Sequence, residues 1–266
     1  MMLLRETGFT FRGVHSRRDM GLIYAEKDGH VAIPRPQWNT YEIAGVSGTV
    51  MFPGETYRPI NFDGTLYPVR ERASQQEAQT LLREVQAWLT GGRGALVFDY
   101  EPQKYYEAEL GNECKWSLKN WFGGELSVRF TAQPFARSVQ SDASTQRVMA
   151  PGVTMYLTAH TARPAPAEIE ISVTGQTAVV TGVNIGNGKI VLTGLEMIYM
   201  DTLVISCEPP IGATIDQGGG PENAMQHATA FSQILMHNGA NSVPVAVTYA
   251  GDAMGISVTL RCRGVW

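Results

Sequence analysis

Apolar and polar residues alternate with a period of two over much of the chain, in short runs. Residues 124–130 and 169–173 show the alternation most clearly, and it is typical of strands that place one face on a core. Residues that favour turns separate these runs. Asp28 with Gly29, and Asn187 with Gly188, are pairs that close β-hairpins, the second as a two-residue turn. The pattern predicts a mainly β protein.

One segment has the helical period instead. Ser74 and Glu77 have the spacing of a capping box, in which the serine side chain accepts a hydrogen bond from the first helical turn. Apolar residues then recur every three or four positions: Ala78, Leu81, Leu82, Val85, Trp88 and Leu89. Gly91 and Gly92 provide a left-handed end. We predict an amphipathic helix over residues 75–90 that packs on the neighbouring strands.

Composition changes near residue 138. Residues 1–138 contain 19 aromatic residues, and residues 139–266 contain 5. The first segment has 16 basic and 16 acidic side chains, whereas the second has 5 and 9. Residues 136–144 are polar and lack a period, as in a linker. The sequence predicts two domains, 1–138 and 139–266: a β-sandwich-like domain that carries the helix, and a jelly-roll or other β-sandwich.

Charge and hydropathy narrow the classes of partner. The net charge is -4 and no cluster of Lys or Arg is present, so we expect no nucleic-acid binding. No apolar run approaches the roughly 20 residues of a membrane span, and residues 1–6 do not resemble a signal peptide. We expect synthesis in a cytoplasm, with Cys114, Cys207 and Cys262 as buried thiols. A disulfide between Cys207 and Cys262 is the alternative.

Two acidic groups are candidates for chemistry. Glu107 and Glu109 lie two apart on a predicted strand, so they share a face on which paired acids could cleave glycosides. A solvated strand face is the simpler interpretation. Asp99 and Glu101 could bind a cation at a turn, although one acidic turn is weak evidence for such a site.

The histidines are His15, His30, His160, His227 and His237, and none forms a metal-binding motif. A metal shared by His227 and His237 is an alternative to two solvated loop positions. The sequence has no nucleophile elbow, phosphate-binding loop or dinucleotide motif. We therefore predict that the chain is not an enzyme, with no catalytic, cofactor-binding or metal-binding residue.

Several short segments stand in a characteristic order. They are FTFRGVHS at 9–16, DMGL at 19–22, YEIAGVSG at 41–48, VQAWL at 85–89, GALVFDYEP at 94–102, YY at 105–106 and FTAQPFA at 130–136. The second domain adds LVI at 203–205, NGAN at 238–241 and RCR at 261–263. With one helix between two blocks of strands, this order resembles the distal tail protein family (Dit) of siphophages.

This resemblance implies a structural protein of the virion tail tip, assembled as a homo-hexameric ring around a central channel. One face of the ring would contact the tail tube protein and the other a tail-associated spike or lysin protein. The C-terminal domain would be galectin-like and would project outward, toward a receptor-binding protein or a cell-surface glycan.

Two other functions stay open. One is a carbohydrate-binding adhesin for host attachment, formed by the second domain. Tyr199 and Tyr249 are expected in the core of that domain, which leaves few aromatic residues to stack on sugars. The other function is a hydrolase that uses Glu107 and Glu109, whose activity Glu107→Gln would abolish.

An exposed hairpin becomes a contact surface when a neighbouring subunit pairs with it. Gly45 and Gly48 separate two short strand-like runs and predict such a hairpin. Residues 45–54, with the proline-punctuated stretch that continues to Val69, are the candidate arm of a ring subunit. Deleting residues 48–57 should then yield folded monomers.

Overall fold

The computed structural model describes residues 8–27, 33–42, 49–70, 74–111, 114–118 and 124–266. Contacts between Cα atoms divide the chain into two compact units, Met1–Val139 (unit 1) and Gln140–Trp266 (unit 2). Strand pairing is antiparallel throughout the described ranges, which contain one α-helix. The predicted mainly β fold class is confirmed. No helix in these ranges has the length and apolarity that crossing a membrane requires.

Unit 1 combines a large sheet with a separate hairpin. Its elements in chain order are β1 (Phe9–Phe11), β2 (Val14–His15), β3 (Leu22–Glu26), β4 (Pro36–Glu42), β5 (Thr49–Tyr57), β6 (Ile60–Pro68), α1 (Gln75–Leu89), β7 (Gly94–Phe98), β8 (Lys104–Leu110), β9 (Lys115–Leu118), β10 (Gly124–Ala132) and β11 (Arg137–Ser138). Among the described residues, the large sheet has the order β2-β1-β7-β8-β10-β6-β3, with β9 beside β10 and β11 beside β8. Strands β4 and β5 pair with each other.

Helix α1 has the predicted cap and the predicted amphipathic face. The Ser74 side chain accepts a hydrogen bond from the backbone N–H of Glu77 (3.2 Å), which satisfies one of the amides that a helix start leaves without a partner. The buried side chains of the helix are Ala78, Leu81, Val85, Trp88 and Leu89. Thr90 caps the end, and Gly92 follows with a φ of +90°. The helix therefore ends one residue before the predicted boundary.

Aromatic rings pack between α1 and the large sheet. The Phe9 ring lies at the centre, with its centroid 5.2 Å from those of Tyr24 and Phe130 and 5.6 Å from that of Trp88. The indole N–H of Trp88 donates a buried hydrogen bond to the carbonyl of Phe11 (2.9 Å). Because a buried indole needs a partner for its N–H, this bond fixes the position of α1 on the sheet.

The proline-punctuated stretch before α1 is a core strand. Strand β6 pairs with β10 along one edge and with β3 along the other. Ile60, Phe62 and Leu66 alternate toward the core. Gly64 replaces a side chain in this series because the Tyr24 ring lies over it, 2.1 Å from where a Cβ atom would stand. Including this stretch in the arm is therefore wrong, since both of its edges are already paired.

Unit 2, which is described in full, is a sandwich of two sheets. Its strands are β12 (Asp142–Arg147), β13 (Gly152–Ala159), β14 (Ala165–Val173), β15 (Val179–Ile185), β16 (Ile190–Met197), β17 (Thr202–Ser206), β18 (Gly212–Asp216), β19 (Pro221–Asn223), β20 (Ala228–Phe231), β21 (Leu235–Met236), β22 (Gly239–Ala250) and β23 (Ile256–Cys262). The first sheet has the order β12-β23-β14-β17-β18-β19, with β21 beside β14. The second has the order β13-β22-β15-β16-β20.

Aliphatic side chains form the core of unit 2. Strands β14 and β23 alternate between buried and partly exposed residues along their whole length. Ile169 and Ile171 of β14, and Val258 and Leu260 of β23, are fully buried. Such alternation places one face of each strand against the opposite sheet, in agreement with the predicted sandwich.

The two predicted hairpin turns have different outcomes. Asp28 and Gly29 lie outside the described residues. In unit 2, Ile185 pairs with Ile190, so four residues connect the strands where two were predicted. Gly186, Asn187 and Gly188 all have positive φ, of 64°, 56° and 91°. The Asn-Gly pair therefore marks the turn correctly, but the left-handed backbone starts one residue earlier.

The predicted linker at residues 136–144 is mostly strand. Strand β11 pairs with β8 of unit 1, and β12 pairs with β23 from Asp142 to Arg147. Every second residue of β12 is exposed and none is buried. An edge strand with polar side chains on both faces has no hydrophobic period, which is why its sequence resembles a linker. Residues 139–141 separate the two strands.

Candidate functional site

The paired carboxylates of β8 share a face, as predicted. Glu107 and Glu109 flank Ala108, which is fully buried on the opposite face. Glu109 is about half exposed, and its Oε2 atom lies 4.0 Å from Nε of Arg93. A glycosidase acid needs a carboxyl group shielded from water. Two pockets open on unit 1, of about 700 and 470 Å³, and neither is lined by Glu107 or Glu109. The pair therefore lies outside both pockets.

Asp99 belongs to a hydrogen-bond network. One carboxylate oxygen accepts the backbone N–H of Gly8 (2.9 Å), and the other lies 3.1 Å from Nε2 of His15. Nδ1 of His15 accepts the backbone N–H groups of Arg17 and Arg18 (3.1 and 3.0 Å), which places the ring proton on Nε2. Because both ring nitrogens are occupied, this His–Asp pair connects the β1–β2 hairpin to the end of β7 and provides no free base.

Each of the other candidate metal ligands has a contact of its own within the chain. Glu101 forms an ion pair with Lys104 (2.8 Å). His227 contacts the backbone of β16, and the N–H of His237 donates to the side chain of Asn241 (2.9 Å). Over the described ranges, no group of three or more His, Cys, Asp or Glu side chains could hold a metal ion.

The disulfide alternative for unit 2 is wrong. Cys262 of β23 pairs in register with Ala167 of β14, and the N–H of Cys207 donates to the Ala167 carbonyl (3.0 Å) from the other side. The two cysteines are thus two strand spacings apart, roughly 10 Å, which exceeds the ~7 Å Cα separation that a disulfide spans. Both are free and buried. Burial raises the pKa of the Cys262 thiol to about 11 and also raises that of Cys207.

The hairpin β4–β5 pairs with no strand of the large sheet within the described part of unit 1. Its register runs from Pro36 opposite Tyr57 to Glu42 opposite Thr49, and the predicted turn between the strands lies outside the described residues. The base of the hairpin is anchored, because the Tyr57 ring packs edge-on against Phe135 at 4.8 Å. The hairpin is therefore a separate two-stranded sheet whose base contacts Phe135.

The large sheet also has strands with one free edge. β2 and β3 stand at the two ends of its main strand order, and β9 and β11 likewise have one paired neighbour each among the described strands. Edge strands present N–H and C=O groups that another chain can pair with. The described part of unit 1 thus has a hairpin and several strand edges at which backbone pairing could occur.

Surface aromatic residues of unit 2 differ from the prediction. Tyr199 is 44% exposed, so its expected place in the core is wrong: β16 ends at Met197, and Tyr199 belongs to the following turn. Tyr249 is partly buried against the core. Tyr156 is 63% exposed on β13, opposite Ser242. Two tyrosines are therefore available at the surface.

Together these features define a class of two-unit, antiparallel β proteins. The first unit carries one helix on a large sheet and a separate hairpin, and the second is a β-sandwich. The same fold occurs in the solved structure of the Dit protein (gp 19.1) of phage SPP1. That protein is described as a paradigm of the hub adsorption apparatus in phages that infect Gram-positive bacteria.

The likeness extends over both proteins almost completely. It covers 97% of this chain and 98% of the SPP1 protein, with a TM-score of 0.64 and 8% sequence identity. At this identity the likeness shows the fold, and at that level the predicted resemblance to distal tail proteins is confirmed. No family model and no curated protein matches the sequence.

Proposed function

We propose that this chain is the structural hub protein of a long-tailed phage or prophage, located at the tail tip. The main observation behind this proposal is that the fold of a phage hub protein matches both units of this chain. The match extends over nearly the whole length of both proteins. The segment order found in the sequence supports the same function independently of the coordinates. The proposed assembly is a homo-hexameric ring that joins the tail tube to the tail-tip apparatus.

The surfaces of unit 1 support assembly into a ring. A cyclic oligomer uses two different patches on each subunit, so that one subunit's patch contacts the next subunit's other patch. The β4–β5 hairpin can serve as one patch, and an edge of the large sheet as the other, through strand addition. Contacts of this kind use backbone groups on strand edges that no other described strand of unit 1 pairs with.

The first experiment measures the mass of the purified protein by light scattering, with negative-stain images of the same sample. Six 29.1 kDa chains would give a particle of about 175 kDa with six-fold rings, as expected for a closed cyclic oligomer. A chain that stays monomeric at high concentration would contradict the proposed ring.

The second experiment tests the hairpin. Residues 40–51 are replaced by Asn-Gly, which closes the hairpin where Asn39 pairs with Phe52 and keeps the Tyr57–Phe135 anchor. We expect folded chains that no longer form rings. The matched control shortens the exposed loop at Gly218 to Gly220 of unit 2, and rings should persist there. Intact rings from the hairpin variant would overturn the role of the hairpin.

The proposed location has its own test. We propose that one ring face contacts the tail tube protein and the other a tail-associated spike or lysin protein, with unit 2 facing a receptor-binding protein. Gold-labelled antibodies against the chain should mark the tip of the tail on intact virions. Label along the whole tail, or on the capsid, would contradict a hub.

A second candidate is glycan binding by unit 2. The observation that favours it is Tyr156, whose exposed ring lies on an outer strand face beside Thr154 and Thr158, a neutral surface on which a sugar could stack. The full chain and Tyr156→Ala are compared on a glycan array. Signals that depend on Tyr156 would support this function, and no signal from the full chain would exclude it.

A further inference from the structure

Four loops meet at one end of the unit 2 sandwich. They are residues 148–151, 174–178, 198–201 and 251–255, which follow or precede neighbouring strands of the first sheet. Backbone hydrogen bonds hold them together. The N–H of Val148 donates to Ile256 (2.9 Å), that of Thr174 to Gly255 (2.7 Å), and that of Met200 to Val173 (2.9 Å). We call this surface the loop end.

The loop end exposes large apolar side chains. Met149 is 75% exposed and Met200 is 77% exposed. Met254, Ile198 and Tyr199 are each about half exposed. Met149, Met254 and Met200 lie in the loops at the ends of β12, β23 and β17, which form one run of four consecutive strands together with β14. Exposed apolar groups that cluster in this way mark interaction sites, whereas isolated ones need no explanation.

The turn at residues 198–201 joins β16 to β17, and we call it the apolar tip. Hydrogen bonds to Asp201 fix its conformation. The carboxylate of Asp201 is almost fully buried, and it accepts the N–H of Ile198 (2.8 Å) and the side-chain amide of Gln217 (3.2 Å). Met200 has a φ of +75°, a left-handed conformation that glycine adopts with less strain. The tip therefore presents its side chains in a preorganised form.

Charge shows what kind of partner fits. No Lys or Arg occurs between Lys189 and Arg261, a span with six Asp and Glu residues. Exposed Glu196 precedes the tip, while Asp216 lies opposite Thr202. Arg147, at the end of β12, is the basic residue that borders these loops. Anionic polymers would be repelled by such a surface, and a segment that carries Lys or Arg would be attracted.

We infer that the loop end binds an apolar polypeptide segment flanked by basic residues, supplied by another protein. Methionine side chains are flexible and polarizable, so they adapt to apolar partners of varied shape. The acidic groups beside them select positive charge on the partner. This inference goes beyond the hub function and does not depend on it, because every residue that it uses lies in unit 2.

The test uses the full chain with its methionine methyl groups labelled for NMR. The probe is a 14-residue peptide of Leu and Lys with an amphipathic pattern, and its Leu and Glu counterpart is the matched control. We expect the Leu/Lys peptide to shift the methyl signals of Met149, Met200 and Met254 in a saturable way. The buried Met155 and Met236 should not move, and the Leu/Glu peptide should cause no shift.

Variants connect the binding to the proposed groups. Met200→Ser should weaken the affinity for the Leu/Lys peptide at least about tenfold, because it removes a central apolar contact. Glu196→Gln should weaken the affinity about threefold, because it removes a charge at the rim of the surface. Ile211→Ser, at an exposed apolar position outside these loops, should bind unchanged. The signals of Met155 and Met236 report that each variant is folded.

Several outcomes would overturn the inference. These are no binding of the Leu/Lys peptide, equal binding of both peptides, shifts confined to other methionines, or unchanged affinity of Met200→Ser. Concentration-dependent shifts of the three methionines without peptide would show that a second copy of the chain occupies the surface instead. Ring formation is not measured in this experiment, so its result is separate from that of the hub proposal.

Discussion

The two units reach a buried core with different side chains. Unit 1 buries a set of rings around its helix: Phe9, Phe11, Tyr24, Phe62, Trp88, Phe98 and Phe130. Unit 2 buries no aromatic side chain, and its core consists of Ile, Val, Leu, Ala, Met and Cys residues from two facing sheets. Each aromatic side chain buries roughly 150–250 Å² of surface. The core of unit 1 therefore needs few residues, whereas the core of unit 2 is made of many smaller side chains.

The surfaces of the units differ in a related way. Unit 1 offers backbone groups, through the β4–β5 hairpin and the outer strands of its sheet. Unit 2 also has edge strands, at the ends of both of its sheets, but it differs from unit 1 in the large apolar side chains that it exposes at its loop end. Backbone pairing depends little on the sequence of the partner, whereas docking through side chains discriminates between partners by their sequence. This contrast agrees with the proposed ring, in which the first unit would assemble with copies of itself and the second would contact a different molecule.

The largest effect should come from truncating the central ring of unit 1. Phe9 is fully buried and contacts the rings of Tyr24, Trp88, Phe98 and Phe130. Phe9→Ala should lower the free energy of unfolding of unit 1 by about 3–5 kcal/mol, since the cavity cannot close among rigid rings. Hydrogen exchange measured by mass spectrometry resolves the two units, and protection in unit 2 should be unchanged.

The matched control for this variant is Phe9→Leu, which keeps most of the apolar volume and should cost clearly less. Equal loss of protection in both units would mean that they unfold together, and the comparison of two independent cores would not hold.

A smaller effect is expected for the indole of α1. Trp88→Phe keeps an apolar ring but removes the N–H that donates to the Phe11 carbonyl. We expect a loss of about 1–3 kcal/mol in unit 1, the usual cost of removing one partner of a buried hydrogen bond. Trp116→Phe, at a partly buried position, is the control and should lose less. Similar losses for both variants would show that the hydrogen bond does not fix α1.

The cap of α1 is expected to contribute less again. Ser74→Ala removes the side-chain oxygen that accepts from Glu77 and should lower the stability of unit 1 by about 1 kcal/mol. Ser74→Asp keeps an acceptor and should stay near the original value. Exchange of the amides in the first turn should accelerate in the alanine variant alone. Faster exchange throughout unit 1 would contradict a local effect.

Features set by neighbouring residues were predictable from the sequence. The helix follows from a cap and an apolar period within one segment, and the strands of unit 2 follow from alternation. Strand β6 was missed as a core strand because Gly64 interrupts its pattern, and the reason for that glycine is Tyr24, 40 residues earlier. The sequence of strand β12 resembles a linker because an edge strand can be polar on both faces.

The candidate surfaces were predictable to a different degree. The hairpin β4–β5 was predicted from the two runs beside Gly45 and Gly48, but its anchor, Tyr57 on Phe135, joins positions far apart in the chain. The loop end was missed, because Tyr199 stands in an apolar run that resembles core. The absence of Lys and Arg between Lys189 and Arg261 was the signal that could have indicated it.

The smallest effect is expected from an ion pair on the outer face of unit 2. Arg261 lies opposite Glu168 and contacts both Glu168 (3.3 Å) and Glu170 (2.5 Å). All three side chains are partly exposed, so Arg261→Met should cost at most about 1 kcal/mol, and less at 1 M salt, which screens such pairs. Unit 1 has a comparable cross-strand ion pair, in which Arg129 lies opposite the single carboxylate of Asp63, and Arg129→Met should show the same dependence on salt. A strong loss of stability in Arg261→Met at high salt would show that the outer face of unit 2 contributes much of the stability that we assign to its aliphatic core. The contrast between the two cores would then fail.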